Sequence, residues 1–175
     1  LFNREFLIRN NLLLNDNLTA AEDAEFMLRT AFYADRVSFV AKSLYNYLHN
    51  TVSAVRSFRT DYVERYRKSL SVMYDFLVDN GLSKHLVTYD NCVLYHLLLI
   101  VVNYSFNPAR KDTKKEQTAA FKKLVKDPFF ANAMKSLRLK DFSMTRKITL
   151  ICIKLKMYRM VRLIALFRQK QTETS

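Results

Sequence analysis

Glycine and proline are scarce in this chain: its 175 residues include one Gly and two Pro. Sheets and barrels need turn residues at short, regular intervals, so this scarcity favours long helices. Half of the residues are hydrophobic, and the aromatic residues comprise 10 Tyr and 13 Phe. That is enough apolar surface for one sizeable core and too much for a disordered chain. The composition therefore predicts a folded, mainly α-helical protein.

The charge balance is strongly basic, with 29 Lys and Arg against 16 Asp and Glu and a net charge of +13. Such an excess favours an anionic partner, namely nucleic acid, a membrane surface or a phosphorylated substrate. The sequence contains no known nucleic-acid-binding motif, so the leading interpretation includes no nucleic acid partner. The competing interpretation is a non-enzymatic basic helical module that binds an anionic membrane surface or nucleic acid.

Cysteine usage and the first residues indicate a cytoplasmic protein. Cys92 and Cys152 both lie in apolar helical patterns, which favours reduced, buried thiols over a disulfide between them. The first residues lack the charged-then-apolar pattern of a signal peptide. We therefore predict a cytoplasmic location, with peripheral attachment to the inner face of the membrane as an open alternative.

The apolar pattern divides the chain near residue 57. Upstream it predicts one buried helix over about residues 20–33 and a short strand pair, 37–40 with 44–49. Thr19-Ala-Ala-Glu22 matches a capping box at the start of this helix. Downstream the sequence predicts helices alone: one from Thr60 or Asp61 to Asn80-Gly81, a core helix over 85–106, a charged helix over 111–126, a short helix after Asp127-Pro128, and a long helix from Ser143 to about residue 169.

Glu22 and Asp23 form an adjacent pair of carboxylates at the start of the first buried helix. In a structural interpretation, Glu22 completes the capping box and Asp23 is favoured there by the helix dipole. In a functional interpretation, a carboxylate that projects from the first turn, held by its cap, acts as a general base. The residues alone leave both interpretations open.

Five short motifs follow one another in order along residues 1–56. They are Leu1-Phe2-x-Arg4-Glu5, Glu22-Asp23-x-x-Phe26, the run from Val37 to Val40, Leu44-Tyr45-x-Tyr47, and Ser53. Their order and spacing resemble family 2 glycosyltransferases of the GT-A type. The resemblance implies that residues 1–56 are the truncated C-terminal part of a GT-A α/β domain, with one buried helix and a short strand pair. Residues 57–175 are then an all-helical extension.

The resemblance also implies roles for individual residues. Asp23 would be the catalytic base, which deprotonates an acceptor hydroxyl so that it attacks the anomeric carbon of a nucleotide sugar in one inverting step. Glu22 would support this site. Tyr45 and Tyr47 would pack the end of the sheet, and Ser53 would lie near the acceptor. The expected partners are a nucleotide-sugar donor and a glycan or lipid-linked acceptor.

The chain departs from the family pattern at several places. Ala21 stands where the family often has Gly, and Thr51-Val52 replaces the usual turn residues. The Asp-x-Asp motif, which holds a divalent metal (Mg or Mn) on the diphosphate, does not occur in the sequence. We expect the full-length enzyme to bind this metal, whereas residues 1–175 should bind no metal and little nucleotide sugar. His49 is a secondary candidate for a metal ligand, because some GT-A enzymes offer a His after the Tyr-x-Tyr strand.

The last predicted helix combines apolar residues with many basic ones. The candidates for contact with a membrane are Arg146, Lys147, Lys154, Lys156, Arg159 and Arg162. One interpretation is an interfacial helix whose Lys and Arg side chains reach anionic headgroups. The other is a surface helix with solvated charges. On one continuous helix these residues do not share a face, because Lys154 and Lys156 fall on nearly opposite sides.

Overall fold

The computed structural model describes residues 1–45 and 58–173. In these two ranges all regular secondary structure is helical, which confirms the mainly α prediction. The α-helices there are α1 (Arg4–Arg9), α2 (Glu22–Tyr33), α3 (Tyr62–Asp79), α4 (Leu86–Ile100), α5 (Lys114–Lys126), α6 (Pro128–Lys135), α7 (Met144–Lys154) and α8 (Tyr158–Glu173). Short 3-10 turns, Ser83–His85 and Leu139–Asp141, come before α4 and α7, and α4 continues into one π-helical turn, Val101–Ser105.

The centre of the molecule is α4, which packs against α3, α6 and α7. Leu94, Leu97 and Ile100 on α4 have no exposed surface. The other helices from α3 onward each place a buried apolar side chain in the same core: Leu70, Phe121, Phe130, Leu150 and Val161. Complete burial of one such side chain stabilises the fold by about 1.5–3 kcal/mol. The core therefore lies in the part of the chain that the sequence predicted to be purely helical.

The stretch around α4 is the most apolar of the described chain. By length and composition alone, the 23 residues Ser83–Ser105 would be sufficient to cross a membrane, and no other helix in the described ranges reaches that threshold. The core helix of a soluble protein meets the same criterion, and 44% of the most apolar part of this stretch is buried inside the protein. In this structure the stretch packs as the core helix.

The predicted strand pair is not formed where the structure describes it. Residues 37–40 are coil, as are Leu44 and Tyr45, and the described ranges contain no strand. Val37 and Phe39 are 85% and 91% exposed. An isolated pair of strands needs a hydrophobic face packed on other structure to be stable, and the described residues offer these side chains no such surface. Residues 46–49 of the second predicted strand lie outside the described residues.

The long helix predicted from Ser143 to about residue 169 is in fact two helices, so that prediction was wrong. α7 ends at Lys154 and α8 begins at Tyr158. Lys156, between them, has a φ of 59°, in the left-handed region. The sequence does not predict this break, because neither Gly nor Pro occurs nearby.

Hydrogen bonds define the break between α7 and α8 as a Schellman motif. The amide of Lys156 donates to the carbonyl of Ile153 (3.0 Å), and the amide of Met157 donates to the carbonyl of Cys152 (2.8 Å). The same pattern ends α3, where Gly81 occupies the left-handed position with a φ of 68°. This position usually carries Gly, because a Cβ clashes with the following carbonyl oxygen there.

Lys156→Gly should therefore stabilise the protein. We expect the free energy of unfolding to rise by about 1 kcal/mol, because removal of the Cβ relieves the left-handed strain by more than the added freedom of the unfolded chain costs. Urea denaturation measures this change. Lys156→Ala removes the same charge but keeps the Cβ, so it should give no gain; an equal gain from both variants would assign the effect to charge.

Two other helix boundaries confirm their sequence signals. α3 ends at Asp79, directly before Asn80 and Gly81. Asp127 caps α6 by accepting a hydrogen bond from the amide of Phe129 (3.0 Å), with Pro128 as the first helical residue.

Both cysteines are free thiols in the structure, and burial raises the pKa of Cys92 to about 11.

Candidate functional site

The acidic pair lies at the start of α2, where Glu22 and Asp23 are the first two residues of the helix. The Asp23 side chain is exposed and Glu22 is half-buried. Oδ1 of Asp23 accepts a hydrogen bond from the amide of Ala24 (2.8 Å), one of the helix-start donors that has no partner within the helix. Among the described residues no cation lies within 4.0 Å of the Asp23 carboxylate. The exposed carboxylate thus has no salt bridge from that part of the chain.

The predicted capping box at the start of α2 is not formed. The residue before the helix is Ala21, which has no capping side chain. The hydroxyl of Thr19 instead accepts a hydrogen bond from Nε of Arg65 on α3 (2.7 Å). The Thr19 side chain therefore contacts α3 and does not cap α2.

Side chains of α3 fasten the segment before α2 at two further points. Nζ of Lys68 donates to the carbonyl of Asn17 (2.8 Å), and the hydroxyl of Ser69 donates to the carbonyl of Ala20. Ser69 is completely buried, so the hydrogen bond to Ala20 also satisfies a polar group in the interior. Together with the Thr19 contact, these bonds fix the start of α2 against the middle of α3.

Ala21 adopts a backbone conformation that favours glycine. Its φ is 54° and its ψ is 26°, which places it in the left-handed region. In the glycosyltransferases that the sequence resembles, Gly often stands at this position. Ala21 therefore occupies a turn that Gly accommodates best.

Four polar side chains of α3, α4 and the π-helical turn after α4 lie close together, and we call them the Tyr–His cluster: Tyr62, Tyr66 and His96, which are buried, and Asn103, which is half-buried. The Tyr62 and Tyr66 hydroxyl oxygens are 3.5 Å apart, and Nδ2 of Asn103 donates to the Tyr62 hydroxyl (3.1 Å). The rings of Tyr66 and His96 are 5.2 Å apart between centroids. Nδ1 of His96 lies 2.8 Å from the carbonyl of Cys92. Since a carbonyl can only accept, Nδ1 carries the proton and Nε2 is the acceptor of the neutral ring.

The charge of Asp23 acts on the Tyr–His cluster. Burial raises the pKa of Tyr66 well above its usual range, and the hydrogen bond with Tyr62 and the negative charge of Asp23 act in the same direction. Burial lowers the pKa of His96, while its bond to the Cys92 carbonyl and the charge of Asp23 oppose that shift. Both rings are therefore neutral at neutral pH, and Asp23 lies within electrostatic range of both.

Sequence reasoning missed the residues that hold α2 in place. Glu25 is buried and receives two hydrogen bonds from Arg29, one turn further along the helix. Nη2 of Arg29 also donates to the carbonyl of Leu13 (2.6 Å). The spacing of four residues between Glu and Arg was the available signal, because it is typical of an ion pair on one helix face.

The structure describes only some of the other predicted site residues. Tyr45 is 80% exposed in coil, and its packing at the end of a sheet stays a prediction. Tyr47, His49 and Ser53 lie outside the described residues. Within the described ranges no group of three or more His, Cys, Asp or Glu side chains could hold a metal ion.

The basic candidates of the last helices differ in their surroundings. Arg146 is half-buried, and its guanidinium carbon lies 4.6 Å from the ring centroid of Tyr95. Arg162 and Lys147 are also half-buried. The exposed members are Lys154, Lys156 and Arg159.

Comparison with models of known protein families, with curated proteins and with solved structures finds no match to this chain.

Proposed function

We propose that this chain is the acceptor-side, C-terminal part of an inverting glycosyltransferase, with Asp23 as the general base. The observation that carries the proposal is the Asp23 carboxylate, which is exposed in the first turn of α2 directly after a turn that favours Gly. This arrangement supports the sequence resemblance, because a base must reach a substrate hydroxyl and a carboxylate locked in a salt bridge could not.

The surroundings of Asp23 suit the role of a base. The positive end of the α2 dipole favours a negative charge at this position. α3 fixes the segment before the helix through the hydroxyl of Thr19 and the carbonyl of Ala20, so the carboxylate is presented from a positioned turn. A base that is held in place gains more from proximity to its substrate than one on a mobile loop.

The proposal assigns the donor to another part of the enzyme. A divalent metal, Mg or Mn, and the nucleotide sugar would bind in the nucleotide-binding half that carries the Asp-x-Asp motif. Residues 1–175 would contribute the base and, through the helices from α3 onward, the surroundings of the acceptor.

Two measurements test whether the donor binds in another part of the enzyme while residues 1–175 supply the base. The complete enzyme, incubated with a panel of nucleotide sugars and Mn²⁺ or Mg²⁺, should release nucleoside diphosphate in the presence of acceptor and lose this activity with EDTA. Residues 1–175 alone should show no heat of binding with the same nucleotide sugars in calorimetry. Tight, metal-dependent binding by residues 1–175 would contradict the proposal, as would a complete enzyme that transfers no sugar.

A further inference from the structure

Exposed apolar side chains recur along both α7 and α8. On α7 and the turn after it, they include Ile148, Ile151 and Leu155, which are 50%, 38% and 63% exposed. On α8 they include Met160, Leu163 and Phe167, which are 43%, 60% and 63% exposed. We call these six residues the α7–α8 apolar surface. Large apolar side chains that are exposed together mark an interaction surface, whereas isolated ones do not.

Each half of this surface is a stripe along one helix. Residues three and four apart lie on the same side of a helix, and the exposed residues of both helices follow this spacing. The opposite sides face the core, where Leu150 of α7 and Val161 of α8 are completely buried. Both helices are therefore apolar on two sides, of which the core covers one.

All charged residues in the segment that carries the apolar surface are basic. Between Met144 and Gln171 the sequence contains eight Lys and Arg residues and no Asp or Glu. By the helical repeat, Lys147 and Lys154 lie along one edge of the α7 stripe. Arg159 and Lys170 lie along one edge of the α8 stripe in the same way. An apolar stripe bordered by Lys and Arg is the pattern of a helix that lies in a membrane interface.

The break at Lys156 creates this arrangement. On one continuous helix the bordering basic residues would not share an edge, because Lys147 and Lys154 would lie about 120–160° around the axis from Arg159 and Lys170. The Schellman motif ends α7 and lets α8 start in a new orientation, so that each helix has its own apolar stripe with its own cationic edge. A turn without Gly or Pro therefore converts an irregular pattern into two amphipathic helices.

We infer that the α7–α8 apolar surface docks on an anionic phospholipid bilayer, with the apolar stripes in the interface and the bordering Lys and Arg on the headgroups. Charge complementarity selects this partner. A second copy would bring the cations that border its own stripes against Lys147, Lys154, Arg159 and Lys170, which disfavours self-association. Nucleic acid would satisfy the cations but leave the apolar stripes in contact with water. The inference is independent of the proposed activity of Asp23.

Vesicle flotation tests this inference on the chain itself. With vesicles of phosphatidylcholine and phosphatidylserine, we expect the protein to float, and with phosphatidylcholine alone to float much less, because each Lys or Arg near the surface strengthens binding to anionic lipid. Leu163→Asp with Phe167→Asp should lower the partition coefficient on the anionic vesicles at least about tenfold. Circular dichroism of each variant confirms that the helices remain folded.

A matched control separates the surface from a general effect of added charge. Leu13→Asp with Phe39→Asp changes the same residue types, at side chains that are 72% and 91% exposed but lie elsewhere, and should float like the wild type. Equal loss in both double variants, or no flotation of the wild type, would overturn the inference. So would a dimer in sedimentation equilibrium that dissociates only in the Leu163→Asp, Phe167→Asp variant, because the surface would then belong to a second copy.

Discussion

On the proposed function, Asp23→Asn in the complete enzyme should lower sugar transfer by about 100- to 10,000-fold, the contribution expected of a positioned general base. Asn has nearly the same shape, and its side-chain oxygen can still accept the hydrogen bond from the amide of Ala24 that Asp23 accepts at 2.8 Å. The start of α2 should therefore stay intact while the proton acceptor is lost. The initial rate of transfer at saturating donor and acceptor measures the effect.

Asp35→Asn is the matched control for this variant. Asp35 is exposed and lies two residues beyond the end of α2, so the substitution removes the same charge from the far end of the same helix. We expect its transfer rate and its thermal unfolding to match the wild type. If Asp23→Asn retained full turnover with unchanged unfolding, the base would have to be a different residue.

Arg29→Met should lower the free energy of unfolding substantially. Glu25 is 2% exposed, and its two hydrogen bonds from Arg29 are what make a buried carboxylate tolerable there. Removal of one partner from a buried ion pair costs about 3–5 kcal/mol. Urea denaturation of residues 1–175, followed by circular dichroism, measures the loss.

Two further variants identify the cause of that loss. Glu25→Leu combined with Arg29→Met removes both charges and should recover most of the stability, because no unpaired buried charge remains. Arg59→Met breaks a pair with Asp61 in which both side chains are about half exposed, and such pairs contribute only about 0–1 kcal/mol. A loss of similar size in Arg59→Met and Arg29→Met would show that burial of Glu25 is not the reason.

Several features of the fold could be predicted from local sequence alone. The scarcity of Gly and Pro predicted the helices, and Asp127-Pro128 and Asn80-Gly81 correctly marked where α6 begins and α3 ends. These signals act within a few residues, because a cap or a left-handed turn satisfies backbone groups of its own helix end. Local signals also placed Asp23 in the first turn of a helix whose start was predicted nearly correctly, whereas its proposed role as a base comes from the family resemblance.

Features that depend on contacts between distant residues could not be predicted. The strand at 37–40 needs a packing surface that the described residues do not provide. No Gly or Pro near Lys156 forces the helix to end there. The break is accompanied by tertiary contacts of α8, because Val161 enters the core and the Gln169 amide donates to the carbonyl of Val102. A prediction from the helical spacing of apolar residues extends the helix through this turn, because that spacing does not reveal the left-handed conformation of Lys156.

The same four-residue pattern occurs twice in this chain, and only one copy caps a helix locally. Thr113-Lys-Lys-Glu116 forms a complete capping box at the start of α5, with hydrogen bonds in both directions. Thr19-Ala-Ala-Glu22 does not, because Arg65 occupies the Thr19 hydroxyl and α2 begins only at Glu22. The sequence by itself determined a helical protein with an acidic pair at the start of one helix. The tertiary structure decided how that pair is held, because side chains of α3, more than forty residues away, compete for the groups that a local cap would use.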